Sequence, residues 1–63
     1  MAVDSRIVEM LGDPNPQNRL KAVQALAKVK DYEALQYLAT VFREDRNQQV
    51  REMARKVGVH LRQ

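Results

Sequence analysis

The 63-residue chain has no cysteine and no tryptophan, one histidine, two glycines, two prolines and three aromatic side chains. Each scarcity excludes something. Without cysteine there is neither a disulfide framework nor a thiolate zinc site, and His60 alone cannot build a metal cluster. Three aromatics leave little for bases to stack on, which argues against single-strand nucleic-acid binding. Gly12 and Gly58 stand alone, so no glycine-rich loop can cradle a phosphate. No apolar run approaches the roughly 20 residues that span a bilayer. The opening MAVDSRIVEM lacks the plan of a secretory leader. The expectation is a cytoplasmic chain without membrane attachment. At this length it forms one domain that buries only about 60% of the surface its unfolded form exposes. With 44% hydrophobic and 30% charged residues it reads as folded, not disordered.

What is present is helical. The segment Leu11-Gly12-Asp13-Pro14-Asn15-Pro16 is the densest turn signal. Gly12 suits the left-handed position past a helix end. Asn15 suits an N-cap, with Pro16 at the first helical position. A second break falls at Lys30-Asp31, with Asp31 as cap and Glu33 favourable in the first turn. A third falls at Glu44-Asp45-Arg46-Asn47, with Asn47 as cap. Between the breaks lie four segments with the period of amphipathic helices: Val3, Ile7, Met10 and Leu11; Ala22, Ala25, Leu26 and Val29; Ala34, Leu35, Leu38, Val41 and Phe42; Val50, Ala54, Val57 and Leu61. Phe42 is expected in the core, and Tyr32 and Tyr37 at its partly exposed flanks. The fold class follows: all-α, four short helices as two antiparallel hairpins stacked as an α-solenoid fragment.

The hairpins are copies of each other. A shift of 32 pairs Asp13 with Asp45, Asn15 with Asn47, Gln17 with Gln49, Arg19 with Arg51 and Ala22 with Ala54. Ala25 with Val57 and Val29 with Leu61 continue it. Upstream, a one-residue gap sets Val3, Ile7, Met10 and Leu11 over Ala34, Leu38, Val41 and Phe42. A fixed period of this size points to a helical solenoid. The stretch Asp45 to Ala54 and its partner Asp13 to Ala22 resemble the HEAT repeat, in the short form of phycobiliprotein lyase-type proteins. The turn Asp, the Val-Arg pair and the following Ala carry the likeness, which divides the chain near 2–30 and 31–63. Two departures stand out: Asn18 where the second copy has Val50, and Gly58 where the first has Leu26. Gly58 costs roughly 1 kcal/mol in a helix interior, so the last helix is expected to fray or end early.

The resemblance implies that Asp13, Arg19, Asp45 and Arg51 form a ladder between units. The competing reading leaves Arg19 and Arg51 free for a ligand. It also implies that the second helices line an inner face. Charge divides the same way. Residues 14–30 carry four cations and no carboxylate, and residues 47–63 carry four cations against Glu52 alone. Residues 1–13 and 31–46 are each net acidic. Lys21, Lys28, Arg51, Arg55, Lys56 and Arg62 are therefore the candidate partner-binding residues. Plain solvation is the alternative, and Lys28, Lys30 and Arg62 would also complement helix C-termini.

No catalytic set emerges. Ser5 opens a helix, His60 lies on an exposed edge, and Glu44-Asp45 is expected in a turn open to water where nothing raises a pKa. The expectation is a non-catalytic, cofactor-free interaction module that binds an acidic protein partner. Nucleic-acid binding through the same helices is the alternative, and the resemblance adds an accessory or chaperone-like role in a pigment-protein lyase system. A two-unit solenoid with apolar ends would either join as a homodimer through its terminal faces or dock on a larger assembly.

Overall fold

The computed structural model describes residues 3–29 and 32–63. Its helices are α1 (Ser5–Leu11), α2 (Pro16–Leu26), α3 (Tyr32–Glu44) and α4 (Gln48–Arg62). The starts of α1, α2 and α4 are each set by a local cap. The side chain of Asp4 accepts from the Arg6 N–H, that of Asn15 from Gln17, and that of Asn47 from Val50 at 3.2 Å. Pro16 occupies the first turn of α2, where its missing N–H has no bond to lose. The proposed Asp31 cap lies outside the described residues.

The helix ends differ from expectation at both glycines, and α2 stops at Leu26, short of Val29. Gly12 is not left-handed: its φ is −100°. The chain leaves α1 through short-range bonds instead, with the Gly12 N–H donating to the Glu9 carbonyl and the Asp13 N–H to that of Met10. Such tightening satisfies the last carbonyls without positive φ. Gly58 does not end α4, which runs on to Arg62. Burial of Val57 on the same turn, and of Leu61 in part, holds the last turns against the core.

The hairpins α1–α2 and α3–α4 pack through one apolar cluster. Val3, Val23, Leu26, Ala34, Leu38, Val50 and Ala54 are almost fully enclosed. Leu26 and Leu38 are its largest members, each worth about 1.5–3 kcal/mol of burial. Val3 precedes α1 by two residues and supplies the fully buried anchor that α1 itself lacks. Across the hairpins α2 packs chiefly on α4, with a lesser contact to α3, and α1 has no comparable contact with either. The second helices therefore form the tight side of the pair and the first helices the splayed side.

Phe42 corrects the expected core: it is 45% exposed. Ala34, Leu38 and Val41 form the buried line of α3. Phe42 lies one residue round the helix from Val41, on a flank that α2 does not reach. Tyr32 is 75% exposed, and Tyr37 packs half-buried against the core.

Candidate interaction surface

The turns between the helices hold the densest polar geometry. Arg19 rises from the first turn of α2 and is 9% exposed. Its Nε donates to Asp45 Oδ2 at 2.8 Å and its Nη2 to Asp45 Oδ1 at 3.2 Å. Its Nη1 donates to the carbonyls of Asp13 and Pro14 at 2.8 and 3.0 Å. One planar guanidinium thus joins the turn of its own hairpin to the turn of the next, the bidentate match that arginine makes with a carboxylate.

Asp45 is accordingly enclosed, which corrects the expectation of a turn open to water. Its side chain is 6% exposed. Burial pushes its carboxyl up, but the Arg19 hydrogen bonds, the Asn47 N–H and the charges of Arg19 and Arg51 outweigh that, and the net effect lowers its pKa below the ordinary aspartate value. Arg51 repeats half of the arrangement. Its Nη1 donates to the Asp45 carbonyl at 2.7 Å, as Arg19 does to that of Asp13. No carboxylate among the described residues reaches it. Asp13 uses its Oδ1 to accept from the Asn15 N–H.

The remaining cations face outward. Lys21, Lys28, Arg55, Lys56 and Arg62 are exposed. Lys28 lies past the end of α2, in the turn that follows it, so it shares no helical stripe with Lys21. Arg55 meets Glu52 at 3.4 Å, an exposed pair of little energetic weight. His60 is exposed, and Ser5 lies exposed at the start of α1.

One feature escaped the sequence reading. A groove of about 330 Å³ runs between α3 and α4, with Leu35, Phe42, Gly58 and Val59 among its apolar lining and Arg43, Arg55 and Arg62 along it. No residue of α1 or α2 lines it, so it lies on the hairpin face turned away from the first unit. It brings together Arg55 and Arg62 from the predicted set and adds Arg43, but not Lys21, Lys28 or Lys56. Its signal was present in the comparison of the two copies. Arg55 and Gly58 stand where α2 has Val23 and Leu26, both fully buried in the apolar cluster shared by the two hairpins.

Among the described residues no group of three or more His, Asp or Glu side chains could hold a metal ion, and no helix is long and apolar enough to cross a membrane. Paired antiparallel helices, stacked through their second members and tied turn to turn, define an α-solenoid fragment. This architecture presents surfaces for recognition. The family model for HEAT repeats matches residues 3–57, and the chain belongs to that family. Neither the comparison with curated proteins nor that with solved structures finds a match.

Proposed function

We propose that the chain is a protein-interaction module that holds an acidic protein partner on the cationic surface of α2 and α4. One observation carries the reading: two sets of cations on α2 and α4 stand in contrast. Arg19 and Arg51 donate to the turns of the fold, whereas Lys21, Lys56 and Arg62 are exposed and enter no ion pair among the described residues. The first set, with Asp13 and Asp45, serves as the ladder between two units that divide near residues 30 and 31. The second set is surplus to folding and available to a partner. Because α2 and α4 pack on each other, their charges add on one side of the molecule and steer an acidic surface toward it.

The test is affinity capture on the immobilised chain, with and without nuclease, beside a Lys21→Glu/Lys28→Glu/Lys56→Glu variant. All three positions are exposed, so the substitutions remove no buried contact. Acidic proteins that survive nuclease and are lost on the variant support the reading. Loss of all captured material on nuclease treatment transfers the surface to nucleic acid. In that case log K should also fall by about 0.9 per phosphate neutralised for each unit of log salt.

A further inference from the structure

The groove between α3 and α4 is the place where a third hairpin would stack in a longer array. Its residues differ from those at the equivalent positions of the first unit. To the apolar cluster shared by the two hairpins α2 contributes Val23 and Leu26, each fully buried. At the equivalent positions α4 offers Arg55 and Gly58. The arginine makes one wall cationic, and the glycine deepens the floor, since a Cβ there would meet no atom within 4 Å. What remains is a trough with exposed Phe42 and Val59 on its sides, at 45% and 46%, and Arg43, Arg55 and Arg62 along it. No carboxylate lines it.

From this we infer that the groove is a docking site for an acidic amphipathic helix, which lays an apolar stripe on Leu35, Phe42 and Val59 between flanking carboxylates. The inference goes beyond the α2 and α4 surface proposed above: it adds a separate site for an acidic ligand, to whose lining Lys21, Lys28 and Lys56 contribute nothing. Arg55 and Arg62 are seven residues apart, about 10.5 Å along α4. A parallel or antiparallel guest helix presents glutamates at that same seven-residue spacing. The existing partners of the rim are weak: Arg55 has the exposed Glu52 at 3.4 Å, and Arg43 has the exposed Glu44 at 4.0 Å. Carboxylates on a docked, water-excluding helix displace them readily.

A second copy of this chain is a poor occupant. Head-to-tail stacking would bring up the open face of α2, where Asn18 and Lys21 stand at the positions of Val50 and Met53. Lys21 would then approach a face already rimmed by Arg43, Arg55 and Arg62, and Asn18 would be buried where the second unit has the apolar Val50. Two-fold pairing through the groove would crowd six rim arginines into one interface, three from each copy.

The test uses the whole chain and a dye-labelled synthetic helix with one leucine stripe flanked by glutamates at seven-residue spacing, read by fluorescence anisotropy. Two variants probe the trough. Gly58→Gln fills the floor with a better helix former than glycine, and Val59→Glu places an acid on its exposed wall. Each should weaken binding by about tenfold or more with unchanged circular dichroism, and replacing the peptide leucines by serine should do the same. Lys21→Glu/Lys28→Glu should leave this peptide's affinity unchanged. Equal binding of the serine peptide would overturn the groove while sparing the acidic-partner reading. Loss of peptide binding in the Lys21→Glu/Lys28→Glu variant would place the peptide on α2 and overturn it too. Self-association in sedimentation that Gly58→Gln abolishes would assign the groove to a second copy.

Discussion

Removing the Asp45 carboxylate isolates the tie between the two hairpins. In Asp45→Ala the Arg19 guanidinium keeps its bonds to the Asp13 and Pro14 carbonyls but loses both bonds to the carboxylate. It remains a buried cation without a counter-charge. Stranding one member of a buried pair costs about 3–5 kcal/mol, because the desolvation of the survivor is no longer offset. The lost acceptor of the Asn47 N–H adds to this. A domain of 63 residues commands a total of only about 3–9 kcal/mol, so Asp45→Ala should populate the unfolded state visibly at room temperature. Urea titration followed by circular dichroism at the helix band reads the change directly, and the melting midpoint should fall by about 12 °C or more. The companion variant Arg19→Met/Asp45→Leu removes both charges and should recover most of the loss, since apolar replacement of a buried pair is often near neutral. A single variant within about 1 kcal/mol of the parent, or a double variant no better than the single, would refute the account.

Four further outcomes follow from the same geometry. Acid should destabilise the parent through Asp45: its folded pKa is depressed, so its contribution is complete above the unfolded value near 4 and disappears as pH falls through the lower folded value. Urea midpoints between pH 5 and 2 should therefore fall more steeply for the parent than for Arg19→Met/Asp45→Leu. Gly58→Ala should stabilise by about 1 kcal/mol, as the added Cβ meets open space within a helix; a lowered urea midpoint would contradict the position of Gly58 within α4. Asn47→Ala should cost about 1 kcal/mol through loss of the cap on α4, again read by urea. Leu38→Ala should cost about 2–5 kcal/mol and Phe42→Ala distinctly less, because Leu38 is enclosed and Phe42 stands half in water.

What the sequence made legible was local. Asn15, Pro16 and Asn47 act within a few residues of themselves, and each sits where its chemistry indicated. The four helices followed from a period that only amphipathic helices share, and the 32-residue shift supplied their stacking. Phe42 was misjudged for a definable reason: periodicity tells which residues share a face, not whether anything covers that face. Asp45 was misjudged because the enclosure of a turn depends on Arg19, 26 residues away. Gly12 was misjudged because a helix can close its last carbonyls by short-range bonds as well as by a left-handed residue. The groove required reading the two copies against each other, position by position, at Val23 and Arg55 and at Leu26 and Gly58. A single repeat would not have disclosed it.

The bridge from Arg19 to Asp45 also bears on the order in which the molecule assembles. Each hairpin closes through contacts between neighbouring helices, which short chains find in microseconds to milliseconds. The guanidinium and its carboxylate meet only after both turns exist and α2 has come to rest on α4. Such a contact belongs to the far side of the folding barrier. Its removal should leave the refolding rate nearly untouched and accelerate unfolding by almost the whole of the lost stability. The side chain that ties the two turns together is thus a latch on the finished structure, and its removal should shorten the life of the native state more than it slows its formation.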